Sequence, residues 1–120
     1  MKATELMVCD WVLDGKKPAQ ITGIMCDDLF ETTLSPSVGG ECVYPIPLTP
    51  EILEKNGFNL SRDKSGIGIL DTYWLGAEFG GFRIINLETD YYQFGLAKIK
   101  YVHQLQHALR LCGIDKEIEI

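Results

Sequence analysis

The stretch Tyr101-Val-His-Gln-Leu-Gln-His-Ala-Leu-Arg-Leu-Cys-Gly113 carries the clearest helical period in the chain and holds both of its histidines. At about 100° per residue, Tyr101, Val102, Leu105, Ala108, Leu109 and Cys112 gather into one arc. His103, Gln106, His107 and Arg110 fall opposite, and Leu111 sits outside the stripe. Gly113 follows the last periodic residue, where a left-handed cap ends a helix. The period predicts a helix over residues 101–112, its apolar stripe in the core and both histidines on an exposed face.

Two histidines four apart share a helix face and match the outer residues of the zinc-peptidase pattern His-Glu-x-x-His. Gln104 stands where that pattern needs a carboxylate, and an amide cannot take a proton from a metal-bound water. Arg110 shares the face, and its fixed charge disfavours a cation there. Cys112 lies about 180° away from His103. His103 and His107 therefore read as solvated residues, with no metal and no cofactor expected.

The rest of the chain divides at its prolines. Residues 7–13 read as a strand of β-favouring residues, and Asp14-Gly15 is a hairpin signal. The return strand over residues 20–26 changes apolar phase at Gly23, which predicts a bulge or bend. Asp27-Asp28 makes a turn, residues 29–34 a third strand, residues 35–40 a loop and residues 41–44 a fourth strand. These short, bent strands suggest a small SH3-like β-barrel lobe over residues 1–48.

Pro45, Pro47 and Pro50 set an extended connector. Thr49 then caps a short helix over residues 50–56, with Pro50 at its first position, Glu51 at its positive end, and Gly57 and Phe58 closing it. Residues 61–66 read as a polar turn, 67–75 as a strand, 76–81 as a loop and 82–87 as a strand. Thr89-Asp90 reads as a tight turn, residues 91–99 as a strand with a bulge near Gly95, and residues 117–120 as a last short strand. The second lobe, residues 49–120, is thus an antiparallel sheet with the long helix packed on it. The fold class expected is α+β, mainly β.

The net charge is −6. Residues 1–48 hold three basic and seven acidic side chains, and residues 49–120 hold eight and ten. Both halves repel phosphate backbones, which weighs against nucleic acid. No apolar run approaches a membrane span, and Met1-Lys2-Ala-Thr-Glu-Leu6 is no secretion signal, so a cytoplasmic protein is expected. Cys9, Cys26, Cys42 and Cys112 show no Cys-x-x-Cys spacing and read as small buried hydrophobes of a reducing compartment.

No phosphate loop is present: Gly66-Ile-Gly68 lacks the pattern, and Gly39-Gly40 and Gly80-Gly81 read as turns. No serine or cysteine has the context of a nucleophile, so no catalytic residue is assigned. The aromatics are the remaining candidates. Trp11, Tyr44, Tyr73, Trp74, Tyr91 and Tyr92 could line a groove of the kind SH3-like barrels use for ligands. Trp11 also suits a core, and one of Tyr91 and Tyr92 must face out, because strand neighbours alternate sides.

Pro45-Ile-Pro-Leu-Thr-Pro-Glu-Ile-Leu-Glu-Lys-Asn-Gly-Phe58 and Ile99-Lys-Tyr-Val-His-Gln-Leu-Gln-His107 resemble a group of small uncharacterised proteins of gut bacteria, associated with prophage and mobile-element regions. Residues 1–12 resemble their start, where a glycine is usual in place of Cys9. The resemblance covers about half the chain. Relatives often read Val-His-Glu-Leu-Gln-Asn in the helix, so Gln104 and His107 depart from the pattern, and it lends no support to a two-histidine metal site. The family brings a context and no activity. The expectation is a non-enzymatic interaction or accessory protein holding an unidentified protein partner. A nucleic-acid-associated accessory protein and an enzyme stand as the alternatives.

Overall fold

The computed structural model describes residues 1–65, 68–88, 91–95 and 97–120. The chain is α+β and mainly β: two antiparallel sheets and a C-terminal helix. It divides into two compact units, Met1–Pro47 with Tyr101–His103, and Leu48–Lys100 with Gln104–Ile120. Among the described residues no helix is long and apolar enough to cross a membrane.

The first unit holds β1 (Trp11–Asp14), β2 (Lys17–Cys26), β3 (Leu29–Thr32), β4 (Val38–Gly39) and β5 (Val43–Pro45) in the order β4-β3-β2-β1-β5. β4 and β5 are the edges, and among the described residues no pairing joins them into a closed barrel. Asp14 pairs with Lys17 across the β1–β2 turn, and Gly15 takes φ 66°, which suits a two-residue hairpin with glycine first. The bend expected at Gly23 is a register shift between Ile21 and Gly23, followed by a second between Ile24 and Cys26. β3 stops at Thr32 because its hydroxyl accepts the amides of Leu34 (3.1 Å) and Ser35 (3.0 Å) while donating to Asp14 Oδ2 (2.6 Å). Leu6, Val12, Ile21, Phe30 and Val43 form the core.

Two details depart from the sequence reading. Residues 35–40 are not wholly loop, since Val38 and Gly39 pair with β3 and a 3-10 turn follows at Gly40–Cys42. Gly40 is required by a close approach rather than by a turn conformation: a Cβ there would overlap the Met1 carbonyl.

The first strand begins at Trp11 rather than at residue 7, because residues 7–10 close a turn. The Asp10 amide donates to the Met7 carbonyl (3.1 Å), and the Met7 amide donates to Asp10 Oδ2 (2.7 Å). Cys9 N–H donates to the Ile21 carbonyl while Ile21 N–H donates to the Asp10 carbonyl, so two residues oppose one. Cys9 has φ 76°, a left-handed value that favours glycine at the first position of such a bulge. The strain of about 1–2 kcal/mol outweighs the entropy of about 0.4–1 kcal/mol that glycine adds to the unfolded chain. Cys9→Gly should therefore raise stability by about 0.5–1 kcal/mol. A urea titration with an unmoved or lowered midpoint would refute this.

The second unit opens with α1 (Pro50–Lys55). Thr49 Oγ1 accepts the Ile52 amide at 3.3 Å, and Pro50 stands at the start, where its missing N–H costs nothing. Gly57, at φ 84°, ends it: Phe58 N–H donates to the Leu53 carbonyl and Gly57 N–H to the Glu54 carbonyl. Leu53 and Phe58 are both buried.

The sheet is a meander of β6 (Asn59–Ser65), β7 (Gly68–Trp74), β8 (Arg83–Glu88), β9 (Tyr91–Phe94) and β10 (Ala97–Ile99). The polar segment read as a turn over residues 61–66 is instead strand β6 through Ser65, paired along its length with β7. It lies at the sheet edge. The single strand expected over residues 91–99 is a hairpin: the chain reverses after Gly95 (φ 58°), and Ala97 pairs with Phe94. The turn expected at Thr89-Asp90 and the Gly66-Ile67 part of the glycine pair lie outside the described residues.

Helix α2 (Val102–Leu111) ends as expected, with Gly113 at φ 71° and Ile114 N–H donating to the Leu109 carbonyl. The final residues are not a strand, yet they keep the alternation: Ile118 is buried between exposed Glu117 and Glu119. Asn56 supplies what a neighbouring strand would. Its Oδ1 accepts the Glu119 amide (2.7 Å) and its Nδ2 donates to the Glu119 carbonyl (2.8 Å) and the Ile52 carbonyl (2.7 Å).

Candidate functional site

The histidines are not arranged as the helical arc predicts. His103 and Gln106 are buried, and only His107 and Arg110 of that face are half-exposed. Val102, Leu105, Ala108 and Leu109 are buried too, so α2 is covered round most of its circumference. Reading one apolar arc assumes cover on one side only. His103 instead lies flat against Tyr101, with ring centroids 5.9 Å apart and planes 7° from parallel. Among the described residues no three His, Cys, Asp or Glu side chains converge.

The cysteines also differ from expectation, for all four are exposed and free. Cys9 sits in a turn, Cys26 at a strand end, Cys42 in a 3-10 turn and Cys112 at the end of α2, none on an inward strand face.

Strand alternation sorts the six candidate aromatics into three pairs. In the first sheet Leu13 pairs with Tyr44, and Trp11 lies two residues from Leu13, so Trp11 and Tyr44 share the outward face. Trp11 is half-buried there and Tyr44 is 50% exposed. In the second sheet Tyr73 and Tyr92 point inward, are buried, and meet edge to face at 5.8 Å. They belong to the core and not to a groove. Trp74 and Tyr91 point outward, Trp74 being 41% exposed and Tyr91 lying under Lys98 Nζ at 4.8 Å.

Burial pushes the Tyr92 phenol up to about 12, with the Tyr73 phenol adding to the shift and a hydrogen bond from the Asn86 side chain opposing it. The folded protein thus holds this proton more tightly than the unfolded chain, whose tyrosines titrate near about 10. The stabilisation is full below pH about 10 and is lost as pH rises toward about 12. Unfolding midpoints should fall across that window, and Tyr92→Phe should flatten the fall. An equally steep loss in the variant would refute the assignment.

The outward face of the second sheet leads into a cleft of about 590 Å³. The sequence reading places Gly80-Gly81 in a turn and Cys112 on a helix stripe, and assigns no site to any residue of this cleft. Trp74 pairs with Arg83 and Ile85 with Gln93, which places these four on one face. Before β8, a 3-10 turn (Ala77–Phe79) runs into Gly80 and Gly81, at φ 71° and 69°, and Leu75 N–H donates to the Phe82 carbonyl at 2.8 Å to close the loop. Two consecutive left-handed residues require glycine, and they carry Phe79 and Phe82 to the cleft wall. Phe82 stacks on Phe94 at 4.9 Å and 26°, and Phe58 meets Phe82 edge-on at 6.3 Å. Cys112 and Ile114 complete the wall.

Arg83 is the one charged side chain lining the cleft among the described residues, and it lines a second, smaller cleft beside it with Ser61, Thr72 and Trp74. Lys116 Nζ lies 5.4 Å above the Phe79 ring. The carboxylate of Glu78 lies beside Gly76 instead. The Phe79-Gly-Gly-Phe82 run was the signal in the sequence: rings flanking paired glycines place apolar surface next to bare backbone.

The fold and this face define an α+β protein with an aromatic and cationic cleft on an antiparallel sheet. Comparison with protein-family models, curated proteins and solved structures finds no match for the chain.

Proposed function

We propose that this chain is a non-enzymatic interaction or accessory protein of mobile-element or phage origin, acting in the cytoplasm, that docks a protein partner on the cleft of its second unit. One observation carries the reading. The stacked Phe82–Phe94 pair, Phe79 and Arg83 surround a concave space large enough for one or two side chains. Aromatic and arginine side chains are what interfaces use as anchors. The same reading takes residues 1–48 as an open, SH3-like barrel lobe bent at the two bulges of β2, with Trp11 and Tyr44 outward as its own contact surface. A nucleic-acid-associated role is the second reading. It is favoured by Trp74, Tyr91, Arg83 and Lys98 sharing an outward face, and opposed by the net charge of −6.

Peptide display against the immobilised protein tests the first reading. Selected peptides should bind Phe79→Ala and Ile85→Gln about tenfold or more weakly than the parent, as interface anchors do. Both positions are half-exposed, and thermal melts verify that each variant folds. Unchanged binding to both folded variants would place the partner surface elsewhere.

A further inference from the structure

We infer that the segment recognised by the cleft is acidic and carries an aromatic side chain, a ring flanked by carboxylates; this rests on the reading of the cleft as a docking site. The argument is one of charge and shape. The chain as a whole is acidic, at −6, yet among the described residues the cleft is lined by a cation and by no carboxylate. A second cation, Lys116, stands over the Phe79 ring at 5.4 Å. An acidic segment is therefore repelled by the protein generally and attracted here, which favours this site over others on the surface.

Arg83 is exposed and held in register beside Trp74, so its guanidinium fork can receive a carboxylate in a two-point contact. The interior suits a ring: Phe94 is half-exposed and stacked on the buried Phe82, so a partner ring placed against Phe94 extends an aromatic cluster in the geometry that such clusters prefer. The backbone is bare where the segment would lie. A Cβ built on Gly80, Gly81 or Gly95 meets nothing within 4 Å, so this space stands open to partner atoms. Single-stranded nucleic acid needs a track of cations along its backbone, and an overall charge of −6 works against its approach.

Titrations followed by the amide resonances of Gly80, Gly81 and Gly95 in the full-length protein test this. The probes are acetyl-Glu-Phe-Glu-amide, acetyl-Lys-Phe-Lys-amide, acetyl-Glu-Ala-Glu-amide and an oligothymidylate. The acidic phenylalanine peptide should shift the three amides, and the other two peptides should bind about tenfold more weakly. Arg83→Gln should weaken the acidic peptide about tenfold and should not weaken the basic one, whose repulsion it relieves. Equal binding of the acidic and basic phenylalanine peptides overturns the charge assignment while the docking reading stands. Peptides that bind with no shift at these glycines, or no peptide binding at all, overturn both. Tighter binding of the oligothymidylate than of the acidic peptide overturns the inference in favour of nucleic acid.

Discussion

Leu105→Ala should lower the unfolding free energy by about 2–5 kcal/mol. Leu105 is 0% exposed, in a helix whose neighbours Val102, Ala108 and Leu109 are also buried. Truncation loses the transfer free energy of the removed carbons and leaves a cavity that close-packed surroundings fill only in part. Leu111, one helix position past Arg110, is the internal control. It is 88% exposed, so Leu111→Ala removes almost no buried surface and should change stability by less than about 0.5 kcal/mol. Urea denaturation of the two variants checks both values. A cost below about 0.5 kcal/mol at Leu105, or a larger cost at Leu111 than at Leu105, would mean that the burial of α2 has been assigned to the wrong residues.

Asn56→Ala should cost about 2–3 kcal/mol and release the C-terminal residues. Three hydrogen bonds converge on this one buried amide, two of them to the backbone of Glu119. Without it the Ile52 and Glu119 groups must find water, and Ile118 loses the restraint that holds it inside. Hydrogen exchange at the Glu119 amide should accelerate markedly in the variant, before the sheet itself opens. Asn56→Asp is the sharper version. It keeps an acceptor for the Glu119 amide but turns a charged oxygen toward two carbonyls, so it should be as damaging at neutral pH and partly restored on acidification. Full protection of Glu119 in Asn56→Ala would show that the tail is held by other means.

Much of the local structure was legible in advance, and for one reason: it is decided within a few residues. The Asp14-Gly15 turn, the Thr49 cap and the caps at Gly57 and Gly113 each satisfy backbone groups that the same short stretch leaves open. The phase change at Gly23 marked a bulge because a strand that switches faces must gain a residue. The general plan, α+β and mainly β, followed from such pieces; the first lobe was expected as a small barrel, and among the described residues its sheet is not closed.

What went unread depends on partners distant in sequence. Residues 61–66 read as a polar turn from composition, yet β7 supplies a ladder for Ser61 through Ser65. Cys9 carries no local sign of its left-handed backbone, because the bulge exists only when Ile21 lies opposite. His103 and Gln106 fall on the polar arc of a helix drawn alone, and become interior once α2 is covered on more than one side. The candidate aromatics are equal in composition, yet pairing sends Tyr73 and Tyr92 inward and leaves Trp74 and Tyr91 outside. The cleft itself joins a glycine loop, two strands and the end of a helix, up to 35 positions apart between Phe79 and Ile114. The chain by itself therefore determined its turns, caps and strand periods, whose free energy is local. Which side chains are buried, and which meet at one surface, was left to long-range packing, because burial is a property of neighbours that only the folded chain brings together.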